Sequence, residues 1–163
     1  MADSKISQVA DAPLVLASFL PYRFSILSDR LSRAFGERYG RAFGLSIPEW
    51  RVMAVLGERT QCSTKEVIVQ TEMDRVKVSR AVTRLADMAL IKQTPLPGDQ
   101  RAHMLSLTQR GLGIYHQIVP IAHKIEAEFV AVLNPQERRA LETILTKLHS
   151  SAGRLSEADS DPG

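Results

Sequence analysis

The 163-residue sequence predicts a mainly α-helical fold with one small β-hairpin. Three observations predict it. Over most of the chain apolar residues recur at steps of three and four, the period of helices with one buried face. In the middle, three short helical signals follow one another with breaks of only a few residues, as a helix-turn-helix core requires. Between residues 91 and 107 the pattern changes to two strand-like runs around a Pro/Gly/Asp cluster.

Taken in order, residues 1–12 are small and polar with no period and are expected to be disordered, as is the tail 156–163. Residues 13–44 are expected to form a first helix. Leu20, Phe24, Leu27, Leu31 and Phe35 share one face, and Arg23, Arg30, Arg33 and Arg38 lie largely off it. Pro21 either opens this helix or kinks it. The core spans 45–107. Ser46-x-x-Glu49 is a capping box before Trp50, Met53, Ala54 and Leu56, and Ser63-x-x-Glu66 is a second before Val67 and Ile68. Asp74 is the N-cap of a third helix, with Val78, Ala81, Val82 and Leu85 on one face. Ile91–Thr94 and His103–Leu107 read as strands around a tip, Pro95–Arg101, too long for a two-residue turn and therefore expected to project.

Residues 108–155 predict two more helices. Thr108 caps the first, whose stripe is Ile118, Ala122, Ile125, Phe129 and Val132, and Pro120 is expected to kink it. Asn134-Pro135-Gln136-Glu137 opens the last helix, with Leu141, Ile144, Leu145 and Leu148 as its apolar face. One copy of this size cannot cover all these stripes. We therefore expect 13–44 and 108–155 to be dimerisation helices of an isologous two-fold homodimer.

Charge is unevenly placed. The net formal charge is +3, but residues 45–123 hold ten Lys/Arg against seven Asp/Glu, and residues 124–163 hold five against seven. A basic middle points to an anionic partner. Within it, Arg75, Lys77, Arg80 and Arg84 fall in a ten-residue run with no acid. With Val78, Val82 and Leu85 facing inward, Arg75, Ser79, Arg80, Thr83 and Arg84 can face outward. Arg recognises guanine edges, Ser and Thr reach bases or phosphates, and Lys neutralises phosphate. A solvated surface face would look the same in isolation. The preceding short helices and the following hairpin favour contact with the DNA major groove. At the hairpin tip, Asp99 can pair with Arg101 and hold it ready for a narrow minor groove; an ordinary surface turn is the alternative.

These segments resemble the MarR family of bacterial regulators. The resemblance rests on DRVKVSRAVTRLADMALI (residues 74–91), on GDQRAHMLSLTQRG (98–111), and on an order of elements covering most of the chain. It implies a dimeric winged helix-turn-helix protein that binds a palindromic operator, usually as a repressor released by a small ligand, with Arg101 as the wing residue entering the minor groove. Ala89 departs from the pattern, since relatives carry Gly at the end of the recognition helix, and Ala tolerates a left-handed cap poorly. The family's ligand cleft maps onto Phe19, Tyr22, Phe24 and Trp50 as aromatic walls, Arg23, Arg30 and Arg51 as carboxylate partners, and the helix bearing His116. IPEWRVMAVL (47–56) and MDRVKVSRAV (73–82) are similar to a subgroup controlling breakdown of aromatic acids, which implies an aromatic carboxylate or its CoA thioester as effector.

Other chemistries find little support. The four histidines form no HExxH pair or Cys/His cluster, and no nucleophile elbow, phosphate loop or dinucleotide fingerprint is present. No enzyme activity, metal or cofactor is expected, although His116, His123 and Glu126 share one helix. The lone Cys62 excludes an intrachain disulfide and fits a reducing cytoplasm; no apolar run reaches membrane-spanning length and no signal-peptide pattern is seen. Two alternatives remain open. Cys62, just before a helix N-terminus that would stabilise a thiolate, makes a redox-sensing regulator conceivable. A protein-interaction module using the winged fold without DNA is the other.

Overall fold

Local capping chemistry sets most helix boundaries. The computed structural model describes residues 13–96 and 99–158. It divides into two compact units, residues 1–118 and 119–163.

In the first unit, helix α1 runs Leu20–Phe43 and ends at Gly44, whose φ of 67° is left-handed. It starts later than the expected residue 13, at the first residue of its apolar face. Pro21 sits in its first turn and opens it, so no kink is needed. Upstream, the N–H groups of Ser18 and Phe19 turn back onto the Val15 carbonyl at 3.1 Å, which makes residues 16–18 a separate turn. Helix α2 (Ile47–Glu58) follows, and the Ser46 N–H donates to Glu49 Oε2 at 2.8 Å. Helix α3 (Thr64–Thr71) is capped by Ser63, whose hydroxyl accepts the Glu66 N–H and whose N–H donates to Glu66 Oε2. Those bonds hold the Glu66 carboxyl below its usual range, so this cap is fully formed at neutral pH and loosens as pH falls through the depressed value. Helix α4 (Arg75–Asp87) is capped by Asp74, which accepts the Lys77 N–H at 2.8 Å. Three residues join α3 to α4, and Glu72 among them is left-handed, at φ 52°.

The core of this unit is the inner face of those helices. Val52, Met53 and Leu56 of α2 and Val67 of α3 are buried with Val78, Ala81, Val82 and Leu85 of α4. A small antiparallel sheet closes the core. It holds β1 (Cys62–Ser63), β2 (Ile91–Leu96) and β3 (Asp99–Leu107), in the order β1-β3-β2. Its third strand, β1, pairs Cys62 with Leu105 and was not anticipated from a hairpin alone. The hairpin strands are also longer than expected. Pro95 lies within β2 opposite His103, and Leu96 pairs with Asp99, so the tip contracts to residues 97–98, which lie outside the described residues. An edge strand tolerates a proline because its N–H side need not pair. A register shift at Pro95/Leu96 takes up the irregularity.

The end of α4 is tied to the start of helix α5 (Gln109–Val130). Ala89 N–H bonds to the Ala86 carbonyl at 2.8 Å and Leu90 N–H to the Leu85 carbonyl at 2.9 Å. That is the Schellman pattern, with buried Leu85 and Leu90 as its apolar pair. Ala89 takes the left-handed position, φ 55°, as its place in the sequence suggested. Thr108 then clamps the turn. Its hydroxyl donates to the Ala89 carbonyl at 2.8 Å and accepts the Gly111 N–H at 3.0 Å, while its own N–H donates to the Leu90 carbonyl. A Cβ at Gly111 would collide with that same Leu90 carbonyl.

The second unit holds the later half of α5 and helix α6 (Pro135–Ala158), so helix replaces the expected tail for residues 156–158. Asn134 Oδ1 accepts the Gln136 and Glu137 N–H groups, and the Asn134 N–H donates to Glu137 Oε2 at 2.8 Å. α5 continues through Pro120, which cannot donate to the preceding turn. In a single chain Phe129, Val132, Ile144, Leu145 and Leu148 remain exposed. Among the described residues no helix is long and apolar enough to cross a membrane.

Two substitutions test the α4–α5 clamp by urea or thermal unfolding. Ala89→Gly relieves the left-handed alanine and is expected to stabilise by roughly 0.5–1 kcal/mol, the cap relief less the glycine entropy. Gly111→Ala drives a methyl into backbone and is expected to destabilise by about 3 kcal/mol or more. Unchanged stability in both would mean the turn relaxes freely.

Candidate nucleic-acid interface

The face of α4 opposite the core gathers four basic and two hydroxyl side chains with no acid from Arg75 to Arg84. At about 100° per residue, Val78, Ala81, Val82 and Leu85 define one direction. Val76, Arg80, Thr83 and Asp87 stand within about 30° of its opposite. Ser79 and Arg84 lie about 70° to either side, and Arg75 and Lys77 stand on opposite flanks. All of these residues outside the stripe are exposed. The helix thus has a central sector suited to base edges and two flanks suited to phosphates. Asp87 is confined to the last turn, away from the N-terminal half.

The charges are not equivalent. The Lys77 N–H, and after it Lys77 Nζ at 3.1 Å, hold the Asp74 carboxyl below its usual range. Arg84 Nε lies 3.7 Å from Glu49 Oε1, and Glu49 is buried. One oxygen of Glu49 therefore caps α2 and the other faces the recognition-type helix. Among the described residues neither Arg75 nor Arg80 is held in an ion pair. Of the hairpin residues, the backbone of Asp99 and Arg101 lies on β3, and their side chains lie outside the described residues.

The expected ligand residues separate into two groups. Tyr22, Arg23, Phe24 and Arg30 line one groove of about 430 Å³ on α1, with Leu20 and Leu27 among its apolar walls. Phe19, Trp50, Arg51 and His116 do not line it. Trp50 instead stacks on Tyr115, with ring centroids 6.0 Å apart, and His116 tilts against the same ring. Phe19 and Arg51 are exposed. Tyr115 was missed, although the α5 stripe extended back three residues from Ile118 would have found it. The ring lies over Gly57, where a Cβ would collide with it.

Cys62 corrects the redox expectation. Its side chain is fully buried in β1, and burial, then the Glu66 carboxylate, push its thiol up, against a smaller opposing effect of Arg59. The helix N-terminus does not leave an accessible thiolate there. His123 pairs with Glu126 at 3.6 Å, and no group of three His, Cys, Asp or Glu among the described residues is placed to hold a metal.

Comparison with known proteins agrees with this geometry. The model of the MarR family matches residues 43–102. The chain is 29% identical over 99 residues to the HTH-type transcriptional repressor NicR of Pseudomonas putida; the match covers 61% of this chain and 63% of that protein's length, under two thirds of it. A structure of Bordetella bronchiseptica BpsR, described for regulation of its DNA binding by 6-hydroxynicotinic acid, superposes with a TM-score of 0.76 at 24% identity, covering 85% of this chain and 98% of that one. A mutant MarR from E. coli complexed with operator DNA gives 0.72 at 20% identity, over 79% and 92%. The fold is the MarR winged helix-turn-helix, and the matched relatives are transcriptional regulators.

The buried thiol gives a direct check. A thiol reagent is expected to label native Cys62 at least about a hundredfold more slowly than the urea-unfolded chain, because labelling waits for opening. Equal rates would restore the redox reading.

Proposed function

We propose that this MarR-type regulator is a repressor that binds a palindromic operator as a homodimer and is released by a small aromatic carboxylate or its CoA thioester. The observation that carries it is the outward face of α4, free of acids from Arg75 to Arg84, held opposite a fully buried stripe and followed by a hairpin. In this reading Arg80, Ser79 and Thr83 meet base edges, and Arg75 and Lys77 meet phosphates. Arg84 steadies the helix through Glu49 and reaches phosphate only at its edge. Arg101, steadied by Asp99, enters the minor groove.

The exposed apolar residues of α1, α5 and α6 support a second copy. A two-fold dimer would set its two α4 helices one DNA turn apart, about 34–36 Å. The α1 groove supports the effector class. Tyr22 and Phe24 offer rings, Arg23 and Arg30 offer cations for a carboxylate, and BpsR, a structural neighbour, responds to a heteroaromatic acid. Release then requires the effector to bind the non-DNA spacing of the dimer better than the DNA-bound one, and its effect cannot exceed that difference.

The test is a binding titration on the upstream intergenic region at fixed salt, with and without aromatic acids and their CoA thioesters. Specific binding relieved by one compound is the expected result. Arg80→Ala is expected to cost about 1–3 kcal/mol and relax base preference, and Arg101→Ala to weaken binding without unfolding. A folded dimer that binds no fragment at low salt would favour the interaction-module alternative.

A further inference from the structure

The outward centre of α4 holds one apolar side chain, which phosphate attraction does not explain. Val76 is 58% exposed, and it stands within about 10° of the direction opposite the buried stripe. An isolated exposed valine is ordinary on a protein surface. Here it lies in the first turn of the helix, one turn before Ser79 and Arg80, in the N-terminal part from which a recognition helix contacts base edges. Its backbone is fixed, because the Asp74 cap binds the adjacent Lys77 N–H and Lys77 Nζ closes on the same carboxyl. As a β-branched residue in a helix, its side chain has one strongly preferred rotamer, so little freedom is lost on contact.

We propose, on the reading that α4 is the recognition helix, that Val76 is a specificity-determining residue that reads the C5-methyl group of one thymine in each half-site. The methyl is the one apolar feature on the major-groove edge of a base pair, and it distinguishes T·A from its reversal and from both G·C orientations. Val76 supplies a matching apolar surface without a hydrogen bond. Ser79 and Arg80, beside it on the same face, read the donors and acceptors of neighbouring pairs.

The full-length protein is used to select binding duplexes from a random pool, and each thymine of the selected site is then replaced by deoxyuridine, which deletes only the methyl. One thymine per half-site is expected to be sensitive, with affinity falling roughly fourfold for one replacement and roughly fifteenfold for both, the worth of one buried methyl each. Val76→Ser is expected to bind the thymine and uracil sites alike. Val76→Thr, which keeps one methyl, is expected to retain part of the discrimination. The proposal is overturned if no thymine is sensitive, or if Val76→Ser discriminates as the parent does. If the parent selects no duplex at low salt, the DNA-binding reading falls first. That outcome is distinct from a site that is selected but indifferent to the methyl.

Discussion

Thr108 is the residue on which the arrangement of α4, the hairpin and α5 depends. Its hydroxyl and N–H together engage the Ala89 and Leu90 carbonyls and the Gly111 N–H. Three elements meet at those few atoms: the end of α4, the base of the hairpin and the first turn of α5. The recognition-type helix therefore has no independent end. Its last turn, the strand that follows and the helix that returns are one hydrogen-bonded corner. The cost is a left-handed alanine and a position where only glycine fits, and the sequence keeps both.

Glu49 works in the same manner at the other side of α4. A buried carboxylate with one oxygen on a helix cap and the other near an arginine is satisfied only when both helices are in place. Cap formation in α2 and the orientation of α4 thus reinforce each other. Arg84 belongs to this scaffold as much as to the solvent face, which separates it from Arg75 and Arg80.

What the sequence disclosed follows from the range of the interactions. Caps at Ser46, Ser63, Asp74 and Asn134 were legible because donor and acceptor lie within three residues. The inward stripe of α4 was legible because its period is local. β1 was not, since a two-residue strand has no period and exists only through its pairing with Leu105. Pro95 read as loop because the chain does not announce which strand will be an edge. In the candidate site, the basic run was visible, but the Glu49–Arg84 pair joins separate helices and was not. Val76 was passed over because an apolar residue outside the stripe belongs to neither the core nor the charge pattern. The ligand residues were named from resemblance, and Trp50 and His116 lie against Tyr115, unread in the sequence, and do not line the α1 groove.

The Trp50–Tyr115 stack has an optical consequence. Trp50 is the one tryptophan in the chain, and its indole stacks on Tyr115 of α5, whose ring lies over Gly57 of α2. Tryptophan emission, excited selectively over the three tyrosines, is consequently a gauge of the surroundings of that stack. Movement of α5 against α2 would alter the colour and yield of that emission without any attached label. The molecule thus carries its own reporter at the contact between α5 and α2.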